Sequence, residues 1–155
     1  MSEYIHYIQK EGEGRVNLET SKELGRIIYL KCEGLDTKGK RKNVYTEQDA
    51  NSDNLHVWQG DEVTREATKI TLTLAFIGDR AEREKAFDAL YNYIKNGKFY
   101  YWDTARHKKA YFIFTEEYKT STEMFYGSQP YILASFTLQN LWGECKKCDD
   151  NGNLI

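Results

Sequence analysis

Eight consecutive residues alternate without a break: Ile70, Leu72, Leu74 and Phe76 at even positions, with Lys69, Thr71, Thr73 and Ala75 between them. Side chains along a strand point to opposite faces with a period of two, so this run specifies a strand with one buried and one wetter face. Half-buried strands of this kind belong to antiparallel sheets. The predicted strand covers 66–77 and stops at Gly78. The period then changes. Asp79 is placed to cap a helix, and Glu82 three residues later makes a variant of the capping box. Phe87, Leu90, Tyr91 and Ile94 repeat at the spacing of one buried helical stripe, which predicts a helix at about residues 80–96. Gly97 is placed as its closing C′ residue. Glu82, Arg83, Glu84, Lys85, Asp88 and Lys95 are expected on its wet face.

The remaining segments supply strands and connections. Residues 26–33 hold Ile27, Ile28, Tyr29, Leu30 and Cys32, a short strand. Residues 99–102 form an aromatic strand, residues 103–109 a polar turn, and residues 110–118 a further strand. Residues 120–129 read as a polar connection. Residues 131–141 place Ile132, Ala134, Phe136 and Leu138 on one face, with Pro130 just ahead, where a missing N–H is tolerated. The first 24 residues show little periodicity and are expected to be weakly ordered. Residues 34–54 form a long loop, a length that in compact domains usually marks function or mobility; a short strand around Val44 and Tyr45 would turn it into an extended hairpin with another short strand near Leu55 and Val57. With one helix and short connections, the expectation is an α+β fold: a mostly antiparallel β-sandwich or open barrel with one flanking helix. Residues 1–142 are expected as a single domain and residues 143–155 as a polar C-terminal tail.

The chain has 155 residues, enough for one domain with a real core. Hydrophobic residues make up 40% and charged residues 30%, the balance of a soluble globular chain rather than a disordered one. A net charge of −2 argues against a surface that attracts nucleic acid or anionic membrane as a whole. No apolar run approaches the roughly 20 residues that span a bilayer, so no membrane association is expected. The first ten residues lack the basic start and apolar stretch of a signal peptide. Three cysteines, an odd number, fit a reducing compartment better than a disulfide scaffold. Twelve tyrosines suit half-wet sheet faces, and also interfaces.

Each motif that suggests chemistry has a plainer account. Cys145 and Cys148, two residues apart, can fill two corners of a tetrahedral zinc site. Neither Cys32 nor His6, His56 or His107 stands at a spacing that completes it, and two free thiols on a surface tail is the simpler reading; no metal and no other cofactor is expected. The run from Asp149 to Asn153 faintly resembles a calcium loop but lacks the glutamate at its twelfth position. Lys38, Lys40, Arg41 and Lys42 form a candidate phosphate-contacting patch, or a solvated loop tip blunted by the acids that follow. The aromatic run at residues 99–102 can stack single-stranded bases, or divide between core and surface. His107 lies near Asp103 and Arg106, which invites acid–base chemistry, yet no nucleophile, glycine-rich loop or metal set accompanies it. A turn in which Asp103 caps its own backbone is the better account. No catalytic residues are assigned, no small-molecule substrate is expected, and the chain is read as a non-enzyme.

The order of elements carries a resemblance. The strand from Lys69 to Phe76, the helix through Phe87 and Leu90, the run from Gly97 to Asp103, the strand with Tyr111 to Phe114 and the strand from Tyr131 to Leu138 together resemble the distal tail and tail-tube proteins of long-tailed bacteriophages. The likeness spans about half the chain and is a pattern of elements rather than a signature motif. It implies a tail-tube-like β-sandwich or barrel with one flanking helix. It also implies a non-enzymatic virion structural protein, from a phage or prophage, that assembles into a ring, hexameric in the family, forming or capping the tail tube. The implied partners are copies of itself and other phage tail proteins. The implied locations are the virion tail and, before assembly, the bacterial cytoplasm. Relatives reach over neighbouring subunits with a loop like that at 34–54, which makes Lys40, Arg41, Lys42 and Tyr45 the candidate subunit contacts. The alternative is a nucleic-acid-binding module using the basic loop at 38–42 and the aromatic strand at 99–102.

Overall fold

The computed structural model describes residues 4–21, 24–42, 44–48, 55–59 and 65–155, with the backbone alone described for 44–48 and 55–59. In chain order the elements are β1 (His6–Lys10), β2 (Val16–Asn17), β3 (Ile27–Glu33), β4 (Val44–Gln48), β5 (Leu55–Gln59), β6 (Thr68–Ile77), α1 (Arg80–Ile94), β7 (Lys98–Asp103), β8 (Lys108–Thr120), β9 (Met124–Tyr126), β10 (Gln129–Asn140) and β11 (Lys146–Lys147). Nine strands form one antiparallel sheet in the order β2-β1-β7-β8-β10-β6-β3, with β9 added to β10 and β11 added to β8. β4 and β5 pair as a separate antiparallel hairpin, Tyr45 opposite Trp58. The fold is therefore α+β, an antiparallel sheet with one helix.

The sheet is open. Among the described residues no ladder joins β3 to β1 or β2 at the other end. It is nonetheless strongly curled. The ring of His6 on β1 stacks on that of Tyr29 on β3 with centroids 3.7 Å apart, although four strands separate β1 from β3 in the pairing order. The ends of the sheet thus meet through side chains and not through backbone hydrogen bonds.

Burial explains the register. On β6, Ile70, Leu72, Leu74 and Phe76 face the concave side, as the alternation requires, and lie opposite Leu138, Phe136, Ala134 and Ile132 of β10. A one-residue slip would turn every one of these to the convex side. α1 covers the concave face. Asp79 caps it, accepting a hydrogen bond from the Glu82 N–H at 2.9 Å. Phe87 packs edge-on to Phe76 and stacks with Phe136, and Tyr91 meets Phe114 edge-on. The buried stripe is wider than the spacing suggested: Arg83, Ala86, Leu90 and Ile94 are buried, with Phe87 and Tyr91 half-buried beside them. Arg83 is a correction, since it lies inward of the wet face and pairs with Glu123 from the β8–β9 connection. The helix closes with Lys95 as its C-cap, so Gly97, expected as C′, stands one position beyond C′, with φ 82°.

The amino-terminal segment is also a correction. β1 pairs along its whole length with β7, His6 opposite Asp103 and Lys10 opposite Phe99, and Ile8 and Leu18 are buried. Residues 120–129, read as a polar connection, contain β9, which pairs with the start of β10. Residues 143–155 fold back as well: β11 pairs with β8, Cys148 bridges to Leu154, and Cys148 is fully buried. Gly152 sits flat on Trp102. Its φ is 82°, and a Cβ there would lie 2.6 Å from Trp102 Cζ2.

Candidate functional site

The surface that stands out is the convex side of the sheet next to β3. β3 carries a bulge between Tyr29 and Lys31 that sets Leu30 apart from the ladder with β6. Leu30 is 47% exposed. Around it, Ile28, Ala75, Ile77, Tyr131 and Leu133 point to the convex side and, with Tyr126, line a shallow groove of about 340 Å³. At the tip of the β9–β10 hairpin, Phe125 and Tyr126 are 62% and 85% exposed. Tyr131 and Leu133 alternate with the inward Ile132 and Ala134, so β10 presents apolar side chains on both faces here. Among the described residues the outer edge of β3 has no partner strand. An unpaired edge beside an apolar groove can accept a further strand and bury side chains with it.

A second feature lies inside the curl, where β1, β3 and the β7–β8 turn meet. Asp103 is buried, and its carboxylate accepts hydrogen bonds from the Ala105 and Arg106 N–H groups at 3.0 and 2.6 Å, the self-capped turn that the sequence suggests. His6, expected near a loose terminus, is 4% exposed. Its Nδ1 lies 3.0 Å from the Tyr101 hydroxyl, and its Nε2 3.8 Å from Glu19. Arg106 donates to the Tyr29 hydroxyl at 3.2 Å. Burial lowers the His6 pKa, against the pull of Asp103 and Glu19. Burial raises the pKa of Tyr29, and pushes that of Cys32 up to about 12. His6, Tyr101, Asp103, Arg106 and Tyr29 are linked by these contacts, which is the pattern of a structural polar cluster. His107 lies in the turn as expected, its N–H donating to the Asp103 carbonyl at 3.3 Å, while its ring points away from this cluster to Asp150.

The residues chosen from the sequence fall into two groups. Lys40 and Lys42 are exposed and Arg41 is half-buried, in an isolated bridge to Arg65. The base of the loop is pinned: the Lys40 carbonyl accepts from the Glu66 N–H at 2.8 Å, and Gly39 approaches so closely that a Cβ would lie 1.9 Å from the Glu66 carbonyl oxygen. Tyr45 lies on β4, its side chain outside the described residues, as does the loop tip at 49–54. The loop residues are not brought together with the β3 groove by any described contact. The aromatic strand divides: Phe99 and Tyr101 are buried in the core, Trp102 is buried under the fold-back, and Tyr100 alone of the four is half-exposed.

The two motif cysteines are not on a loose surface. Cys148 is buried and Cys145 half-buried, and burial pushes both thiols up to about 11. Among the described residues, no group of three or more His, Cys, Asp or Glu is placed to hold a metal ion. No helix among them is long and apolar enough to cross a membrane. In comparisons with known proteins, no family model matches the chain and no curated relative matches it significantly.

Proposed function

We propose that this chain is a non-enzymatic structural subunit that associates with copies of itself, edge to edge, into a closed ring of the tail-tube or distal-tail type. The observation that carries this reading is the edge of β3, unpaired among the described residues, beside the apolar convex groove, with Leu30, Phe125 and Tyr126 exposed around it. Apolar surface of this kind, next to an open strand edge, favours a partner that supplies both backbone hydrogen bonds and apolar side chains. A head-to-tail contact of that sort closes into a ring when its rotation permits. The curled sheet with one helix on its concave face is compatible with the sandwich or barrel of the tail-tube-like proteins that the element order resembles. In this reading the ring, probed first as a hexamer, forms or caps a tail tube. The loop at 34–54, with Lys40, Arg41, Lys42 and Tyr45, reaches a neighbouring subunit, and other tail proteins dock on the ring. The protein would then reside in the virion tail after assembly in the bacterial cytoplasm.

The test is absolute mass by light scattering across a range of concentrations, with negative-stain imaging, for the native chain and for Leu30→Asp. The expected result is rings or short tubes that the substitution dissolves into monomers with an unchanged circular dichroism spectrum. A native chain that stays monomeric at every concentration overturns self-assembly.

A further inference from the structure

The half of the convex face farthest from β3 has a different chemistry. Tyr100 on β7 stacks on its cross-strand neighbour Tyr111 on β8, with centroids 4.8 Å apart. Trp142, just after β10, lies 5.6 Å from Tyr111 and 5.9 Å from Tyr100. All three rings are half-exposed. Each has a lysine over it: Lys109 at 4.2 Å from Tyr100, Lys146 at 4.5 Å from Trp142 and Lys98 at 5.9 Å from Tyr111. None of these three ammonium groups forms an ion pair among the described residues, whereas Lys108, one position along, pairs with Asp36.

A second observation concerns β11. Its two residues are both lysines, and both stand opposite lysines of β8: Lys146 opposite Lys109, and Lys147 opposite Lys108. Like charges directly opposite one another in a ladder are destabilising. Burial already lowers the pKa of Lys109. Adjacent residues of a strand point to opposite faces, so Lys146 and Lys109 share the aromatic face while Lys147 and Lys108 face the other way. The like-charge pair on the aromatic face stands beside a carboxylate, Glu11, which accepts from the Tyr111 hydroxyl at 3.1 Å.

We propose that this aromatic and lysine platform, formed by Tyr100, Tyr111, Trp142, Lys98, Lys109 and Lys146, binds single-stranded nucleic acid. Phosphates draw the exposed Lys98 and Lys146 ammonium groups outward, and bases take their place against Trp142 and Tyr111. Aromatic faces accept any base, so the contact is tolerant of sequence, and the lysines make it salt-dependent. A duplex, whose bases are already stacked, offers phosphates alone. The platform differs from the basic loop at 38–42, and it lies on β7 and β8, separated from β3 by β10 and β6, so its failure leaves the assembly reading untouched.

The experiment measures binding of a labelled oligothymidylate of about 12 nucleotides by fluorescence anisotropy, with tryptophan emission followed in parallel. The native chain is expected to bind at low salt, with quenching that disappears in Trp142→Phe. The affinity is expected to fall with salt with a log–log slope of about 1.4, from about 0.7 per phosphate and the two exposed lysines, since the Lys109 ammonium is held by the Gly152 carbonyl at 2.8 Å. Lys98→Glu combined with Lys146→Glu is expected to weaken binding at least about tenfold without lowering Tm, because Lys146→Glu also relieves the like-charge pair. Three results overturn the proposal. One is no binding at low salt. Another is binding that the double variant leaves intact but Lys40→Glu with Lys42→Glu abolishes. The third is binding without Trp142 quenching that inorganic polyphosphate displaces at equal charge.

Discussion

His6 shows how a single residue can carry a condition for stability. Its ring stacks on Tyr29 and faces Asp103, Glu19, Tyr101 and Arg106, and burial holds its pKa below the ordinary 6.5. Between the unfolded value and the lower folded value, the unfolded chain binds a proton that the folded chain refuses, so folding stability falls as pH falls through that window. Below the folded value this residue adds no further dependence. Urea unfolding between about pH 5 and pH 8 is expected to show the loss in the native chain and a flatter profile in His6→Gln; identical profiles would remove His6 as the cause. Gly152 is a second such residue. With φ 82° and Trp102 Cζ2 where a Cβ would stand, Gly152→Ala must both strain the backbone and lift the turn from the indole. The expected cost is about 1–3 kcal/mol, the left-handed backbone strain plus lost contact, read as a fall in unfolding free energy.

α1 begins where Asp79 satisfies the Glu82 N–H, and removing that carboxylate leaves an open donor at the helix end. Asp79→Ala is expected to cost about 1 kcal/mol in a denaturant titration, with Asp79→Ser close to native. That cap was legible in the sequence, as were β6, β10 and most of α1, because each buries one regular apolar face and turns its more polar or less buried residues to the other. The elements that were not legible lack this contrast. β1 turns His6 and Ile8 inward, one polar and one apolar, so no period emerges from it. β11 consists of two lysines whose reason to form a strand is the neighbouring β8 and the burial of Cys148. Arg83 is misread because its stem lies in the apolar stripe while its head reaches Glu123, the habit of long cationic side chains. The candidate surface had a signal that alternation alone could not use: Ile27, Ile28, Tyr29 and Leu30 are apolar in succession, and Tyr131 and Leu133 are apolar between inward positions. Apolar residues on both faces of a half-buried strand mark a face that something else can cover.

At the scale of the molecule, the sheet is held by its middle. β10 lies between β6 and β8, and these strands bury the aromatic centre of the core, whereas β3 and β2 are its ends. Amide hydrogen exchange is expected to be slowest in β6, β8 and β10 and fastest in β2 and β3, and assembly through β3 is expected to slow that strand selectively. Equal protection of β3 in monomer and assembly would argue against an interface there. The pairing of β1 with β7 has a further consequence, in time rather than in space. His6 meets Asp103, and Lys10 meets Phe99, so residues 6–10 leave the ribosome long before their partner strand exists. At about 5–20 residues per second, β1 waits for seconds with Ile8 and the neighbouring Tyr7 uncovered. Its docking is the event that completes the concave core, and in the growing chain this strand, made well before its partner, is among the last to find its place.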